Sequence, residues 1–195
     1  MTNQDFAIQP RPGTTLGANL NTWKLFADQF YRASECLLQQ VRADMTRMVR
    51  EHLRHKAGSP FSSTYQPTID HVYFLTIGYC LENMMKGIII FQDPDHVANG
   101  KLSRQVKSHD LARLAKLTGV IFSDDEQRFF DFITPSIKWY GKYPIPTKAE
   151  DSIGSSNHSI EEVRKHFLNI YRKLSLKMES TGKLKVHLHS YGATQ

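Results

Sequence analysis

The pattern of apolar and polar positions divides the chain into helices. The most apolar run is IDHVYFLTIGYCLENMMKGIIIFQ, residues Ile69 to Gln92. Val72, Leu75, Tyr79, Met84, Ile88 and Phe91 recur at roughly helical spacing, and Phe74, Ile77, Cys80, Leu81, Met85, Ile89 and Ile90 fill most of the gaps. A helix apolar on nearly all sides is the central helix of a bundle. The run is long enough to raise the question of a membrane span. Asp70, His71, Glu82 and Lys86 interrupt it, however, and charge inside a span is costly, so a buried core helix is the better reading. Glu82 and Lys86 stand i,i+4 with the acid first, so they can pair on one face; the ordinary place for such a pair is a partly solvated helix edge.

The flanking segments show the same period. Residues 1–18, with Pro10, Pro12, Gly13 and Gly17, read as an irregular arm. A first helix starts near Asn21 or Thr22 and carries Trp23, Phe26, Phe30, Ala33, Leu37, Leu38, Val41, Met45, Met48 and Val49 at helical spacing to about Lys56. Gly58, Ser59 and Pro60 end it, and Pro67 suits the first turn of the central helix. After Gln92 a loop with Pro94 and Gly100 leads to Ser108, the expected cap of a short helix from His109 to Leu117. Ser123 and Glu126 have capping-box spacing at the head of a helix from Asp124 to about Tyr140, which Pro135 should kink. Gly141 to Asn157 reads as a long loop. Ser159 and Glu162 open a last helix from Ile160 to about Glu179, stopped by Gly182. The tail, residues 182–195, is a short strand or disordered. The expectation is an all-α, up-and-down bundle of four main helices plus one short helix, spanning residues 19–181 as one domain.

Composition adds little to that picture except charge. The 195 residues are 40% hydrophobic and 23% charged, ordinary for a soluble domain. The net charge of +6 suits an anionic partner such as RNA or a nucleotide. Cys36 and Cys80 lack metal or redox spacing, and with no signal peptide or lipidation motif a reducing cytoplasm is expected, with no membrane partner. The phosphate-binding glycine loops, the HExxH motif and the Gly-x-Ser-x-Gly elbow are all absent. His52 with His55, and His187 with His189, lack matching ligands, so neither a metal nor another cofactor is expected. Basic residues gather along the second half of the first helix (Arg42, Arg47, Arg50, Arg54) and in the loop before the short helix (Lys101, Arg104, Lys107, His109).

Three segments, in order, carry a family resemblance. Glu82-Asn-Met-Met-Lys86 lies in the core helix, Ser108-His109-Asp110-Leu111 at a helix start, and Trp139-Tyr-Gly-Lys142-Tyr143-Pro144 after the fourth helix. Together they resemble the HEPN domain family, in a bacterial branch whose Trp-x-x-Arg-Tyr-Pro segment has Lys142 here in place of Arg. The resemblance implies a helical bundle, often a homodimer, serving bacterial defence, toxin–antitoxin or RNA-processing systems. Its active members are metal-independent ribonucleases with an Arg-x4–6-His motif on a late helix. This sequence departs from that pattern: Arg128 has no following His, and Arg164 lies too close to His166. The spacing occurs instead at Arg47–His52, Arg50–His55 and Arg104–His109.

Three functional readings follow. In the first, the chain binds RNA, a nucleotide or a protein partner without catalysis, through Glu82, Lys86, Lys107, Asp110, Trp139, Lys142 and Tyr143 with Arg104 and His109. In the second, it is a dimeric, metal-independent endoribonuclease with His109 as general acid/base and Arg104 or Lys142 stabilising phosphate charge. In the third, it is a structural subunit docking another chain through Trp139 and Tyr143.

Overall fold

The structure, a computed structural model, describes residues 19–56, 69–98, 100–140 and 159–182. The N-terminal arm, the loops at 57–68 and 141–158, Lys142, Tyr143 and the tail lie outside the described residues. The described elements are α1 (Leu20–Lys56), α2 (Asp70–Gln92), a 3-10 turn (Pro94–His96), a small antiparallel hairpin of β1 (Val97–Ala98) and β2 (Lys101–Leu102), α3 (Leu111–Leu117), α4 (Asp124–Pro135) running into a π turn (Ser136–Tyr140), and α5 (Ile160–Gly182). Among the described residues the protein is therefore all-α apart from two short strands, with four main helices plus one short helix in the bundle.

α2 is its centre. Tyr73, Ile77, Cys80, Leu81, Met84, Met85, Ile88 and Ile90 are fully buried, as a helix without a polar face requires. Among the described residues α2 is the one helix long and apolar enough to cross a membrane, and 72% of the qualifying stretch is buried within the bundle. α1 runs antiparallel to α2. Leu20 and Trp23 lie against Gly87, where a Cβ would fall 2.6 Å from Trp23 Cβ, and Phe30 meets Tyr79 at 5.4 Å between ring centroids. α5 is antiparallel to α1 as well: Tyr171 donates to Asp28 (2.8 Å), Arg164 to Glu35 (3.0 Å) and Arg42 to Glu161 (2.8 Å).

That ladder also shows where α1 leaves the bundle. Arg42 already faces the first turn of α5, so about 14 residues, roughly 21 Å of helix, extend past it. The helical spacing of apolar residues continues along this overhang, but burial does not follow it. Leu38 and Val41 are buried and Met45 half-buried, whereas Met48, Val49 and Leu53 are 40%, 60% and 61% exposed. Phe26 and Ala33, on α1's outer side, are exposed too.

Local starts and stops follow side-chain chemistry. Both capping boxes form: Ser123 with Glu126, and Ser159 with Glu162. The expected cap of α3 is corrected by two residues. Asp110 takes the cap, its backbone extended and its Oδ1 accepting from Arg113 N at 3.0 Å, while Ser108 Oγ accepts from Asp110 N at 3.1 Å. The α-helical part of α4 stops at Pro135, where the sequence predicts a kink, but the chain stays helical beyond it. Proline withholds one N–H from the ladder, and the chain continues as the wider π turn.

Candidate functional site

The expectation that Glu82 and Lys86 pair at a solvated edge is corrected. Both are buried, at 5% and 6% exposure. Lys86 Nζ donates to Glu82 Oε1 at 2.7 Å, and Glu82 Oε2 lies 2.9 Å from His109 Nδ1. One carboxylate therefore joins an ammonium of its own helix to an imidazole from the loop before α3. Burial of an ion pair is tolerable only when the remaining lone pairs find partners, and His109 supplies one. The carboxylate accepts, so Nδ1 carries the hydrogen. Nε2 is left as the free functional atom of a ring that is 46% exposed.

Three anchors position that ring. The fully buried Val106 and the bonds from Val106 N and Lys107 N to Ser103 O fix the turn ahead of it. His96, whose Nδ1 lies 2.9 Å from Ser103 Oγ, ties this turn to the hairpin. On the other side, the buried Leu111 donates its N–H to Thr134 Oγ1 at 3.2 Å, so α3 starts against α4. The π turn closes the site from below. A Cβ at Gly78 would lie 2.6 Å from Ile137 Cγ1, so the missing side chain, one turn before Glu82, lets Ile137 seat on α2. The next residue, Lys138, then stands 4.0 Å from Asp110 Oδ2.

The structure thus unites Glu82, Lys86, His109 and Asp110, and adds Lys138, which the sequence reading missed. Arg104 and Lys107 are exposed on the turn leading to His109. Among the described residues Arg104 makes no hydrogen bond or ion pair, so it is not seated against His109. Trp139 is 2% exposed. It is a core side chain, and the reading that made it an exposed docking residue is corrected. No side-chain pattern could have announced Lys138, because its neighbour Asp110 is 28 positions away and only the π turn brings the two together.

A second meeting of Arg and His occurs elsewhere. Arg128 and His166 line a small hollow between α4 and α5, with Arg128 paired to Asp125 and His166 stacked on Phe129 at 5.8 Å. Among the described residues no group of His, Cys, Asp and Glu has the arrangement of a metal site. Comparison of the chain with family models, with curated proteins and with solved structures finds no match.

What the dyad can do is chemically defined. A surface imidazole held through Nδ1 by a buried carboxylate keeps one tautomer. It can accept a hydrogen bond or proton at Nε2, and when protonated it can donate to a phosphate oxygen. The exposed Arg104 and Lys107 on the turn before it, and Lys138 beside Asp110, add positive charge without geometric commitment.

Proposed function

We propose that this chain is a HEPN-like helical domain that binds RNA through the surface around His109 without cleaving it. The observation that carries this reading is the half-exposed His109 ring, oriented by the buried Glu82–Lys86 pair, with the exposed Arg104 and Lys107 on the turn that leads to it and Lys138 beside the adjoining Asp110. Phosphodiester cleavage would need, beside His109, a cation fixed on the phosphate and a second group to complete proton transfer. Lys86 is committed to Glu82, Lys138 lies beside Asp110, and Arg104 is unattached among the described residues. Such an arrangement holds a backbone phosphate more readily than it stabilises a transition state. The HEPN assignment, a homodimeric state and a role in bacterial defence, toxin–antitoxin or RNA-processing systems rest on the sequence resemblance and belong to the proposal.

The test is fluorescence anisotropy with single-stranded RNA in EDTA. His109→Ala should weaken binding at least about tenfold. Lys107→Ala with Lys138→Ala should weaken it and lower the salt slope by about 0.7 for each phosphate that is no longer neutralised. Unchanged affinity and slope in both variants would remove the reading.

The dyad itself favours a second reading, metal-independent ribonuclease, because a carboxylate-oriented imidazole with free Nε2 is a competent general base. RNA cleavage in EDTA that disappears in His109→Ala would establish it in place of simple binding.

A further inference from the structure

The hairpin between α2 and α3 joins a serine, a histidine and an aspartate in one chain of contacts. β1 and β2 pair Val97 with Leu102. The next pair outward is His96 opposite Ser103, and Ser103 N donates to His96 O at 2.8 Å. Their side chains meet as well, with Ser103 Oγ 2.9 Å from His96 Nδ1. Asp93, which caps the 3-10 turn, stands at the other end of the ring. Its Oδ2 lies 3.6 Å from His96 Nε2, and its Oδ1 accepts from Asp95 N at 3.1 Å. A carboxylate can only accept, so Nε2 carries the ring hydrogen and Nδ1 turns its lone pair to the serine hydroxyl. Ser103 thus donates to a base whose far side faces an anion. A nucleophile within hydrogen-bond reach of a base that a third group orients is the arrangement of an activated hydroxyl.

The backbone at Ser103 supplies the complementary half. Ser103 O accepts from Val106 N at 3.2 Å and from Lys107 N at 3.0 Å, so Ser103 heads a helical turn. The first N–H groups of such a turn have no acceptor within it. Here they belong to Arg104 and Gln105, and among the described residues neither makes a hydrogen bond. Adjacent free amides attract negative charge, and the Arg104 guanidinium, exposed and unpaired among the described residues, adds to that. The His96 side chain is 17% exposed and Ser103 is half-buried. The base is therefore screened from water, while the residue that carries the hydroxyl keeps part of its surface in solvent.

We infer that Ser103 is the nucleophile of an acyl-transfer site that hydrolyses small esters, with His96 as its base and Asp93 orienting the ring. Ser103 Oγ bonds to the ester's carbonyl carbon as its proton passes to His96 Nδ1. The imidazolium faces Asp93, and the amides of Arg104 and Gln105 receive the oxyanion. Collapse breaks the ester C–O bond, and His96 returns the proton to the departing alkoxide. Water then gives a proton to His96 and attacks the acyl carbon. The bond to Oγ breaks, the proton returns to Ser103, and the carboxylic acid leaves. The site is separate from the His109 imidazole and does not depend on the RNA-binding reading.

The experiment treats the full chain with a fluorophosphonate probe, in which a P–O bond to Ser103 replaces P–F and fluoride leaves. Peptide mass spectrometry should place the adduct on Ser103, formed at least ~10-fold faster in the native protein than in urea. Its rate should rise between about pH 5 and 8, as an imidazole base requires. Ser103→Ala should abolish the adduct. His96→Gln should slow it at least ~10-fold and flatten its pH profile, and Asp93→Asn should slow it less. p-Nitrophenyl acetate should release a burst of about one p-nitrophenolate per chain in the wild type and none in Ser103→Ala. Circular dichroism should report native helix content in each variant, because all three residues lie outside the bundle helices.

Three outcomes overturn the inference. No adduct on Ser103 in the wild type would make the contact with His96 a strut of the hairpin and nothing more. An adduct that forms as fast in urea would mark Ser103 as an ordinary hydroxyl. A rate and pH profile unchanged in His96→Gln would remove the base, and with it the mechanism.

Discussion

Removing Glu82 should cost more than removing any other single charge described in the protein. In Glu82→Ala the Lys86 ammonium stays buried at 6% exposure and loses its only described anion. An uncompensated buried charge costs about 3–5 kcal/mol. A domain of this size has a total stability of about 5–15 kcal/mol. At roughly 2–4 °C per kcal/mol the midpoint should fall by about 6–20 °C. Lys86→Met should cost less, because Glu82 keeps a hydrogen-bond partner in His109 Nδ1 at 2.9 Å. The double variant Glu82→Met, Lys86→Met removes both charges and keeps the volume, so its stability should lie within about 1 kcal/mol of wild type or above it. Urea unfolding followed by circular dichroism, with m-values compared, measures all three. The reasoning fails if Glu82→Ala costs less than about 1 kcal/mol, or if the double variant costs the sum of the singles. The folded double variant also separates support from chemistry. It should lose the RNA affinity attributed to His109, because nothing then orients the ring.

Three further outcomes are expected. Cys80 is fully buried, and burial pushes its thiol well above the ordinary value of 9.0, whereas Cys36 is exposed; a thiol reagent at pH 8 should modify one cysteine in the native protein and two after unfolding. Burial also raises Tyr31, Tyr73 and Tyr171 above their ordinary value of 10.0. The unfolded chain therefore releases these protons first, and stability should decline as pH rises through 9 to 10 and beyond; a thermal midpoint that is flat or rising over that range would refute this. Gly87→Val places side-chain atoms where Trp23 Cβ already stands 2.6 Å from an ideal Cβ, so α1 must shift from α2 at a cost of about 3 kcal/mol, checked by urea midpoint.

How far the sequence reached can be followed residue by residue. The helices were legible because their signals are local: Ser123 with Glu126 and Ser159 with Glu162 are three apart, and the apolar period of α2 needs no partner to be seen. The cap of α3 was displaced because Ser108 and Asp110 are both good caps, and only the backbone at Asp110 decides between them. The burial of Glu82 was not legible, since i,i+4 spacing says that two charges can pair but not what lies over them. His109, which covers Glu82, comes from 27 positions away. The overhang of α1 was equally hidden. Met48 and Val49 have core spacing, and their exposure follows from where α2 and α5 begin, which is a property of other segments.

The shortness of α3 links occupancy of the site to local opening of the fold. Its seven residues are too few for a helix to persist alone in water. It stands because Leu111, Leu114 and Ala115 are buried, Leu111 N bonds Thr134, and His109 just ahead of it bonds Glu82. If α3 lifts away, the ring that the ligand needs goes with it, so a ligand relying on the oriented His109 binds the closed form alone. At a hundredfold excess over its dissociation constant such a ligand holds α3 shut by about 2.7 kcal/mol. Amide hydrogens of residues 111–117 should therefore exchange more slowly as the ligand is added, by a factor that tracks its concentration, while frayed ends elsewhere keep their rate.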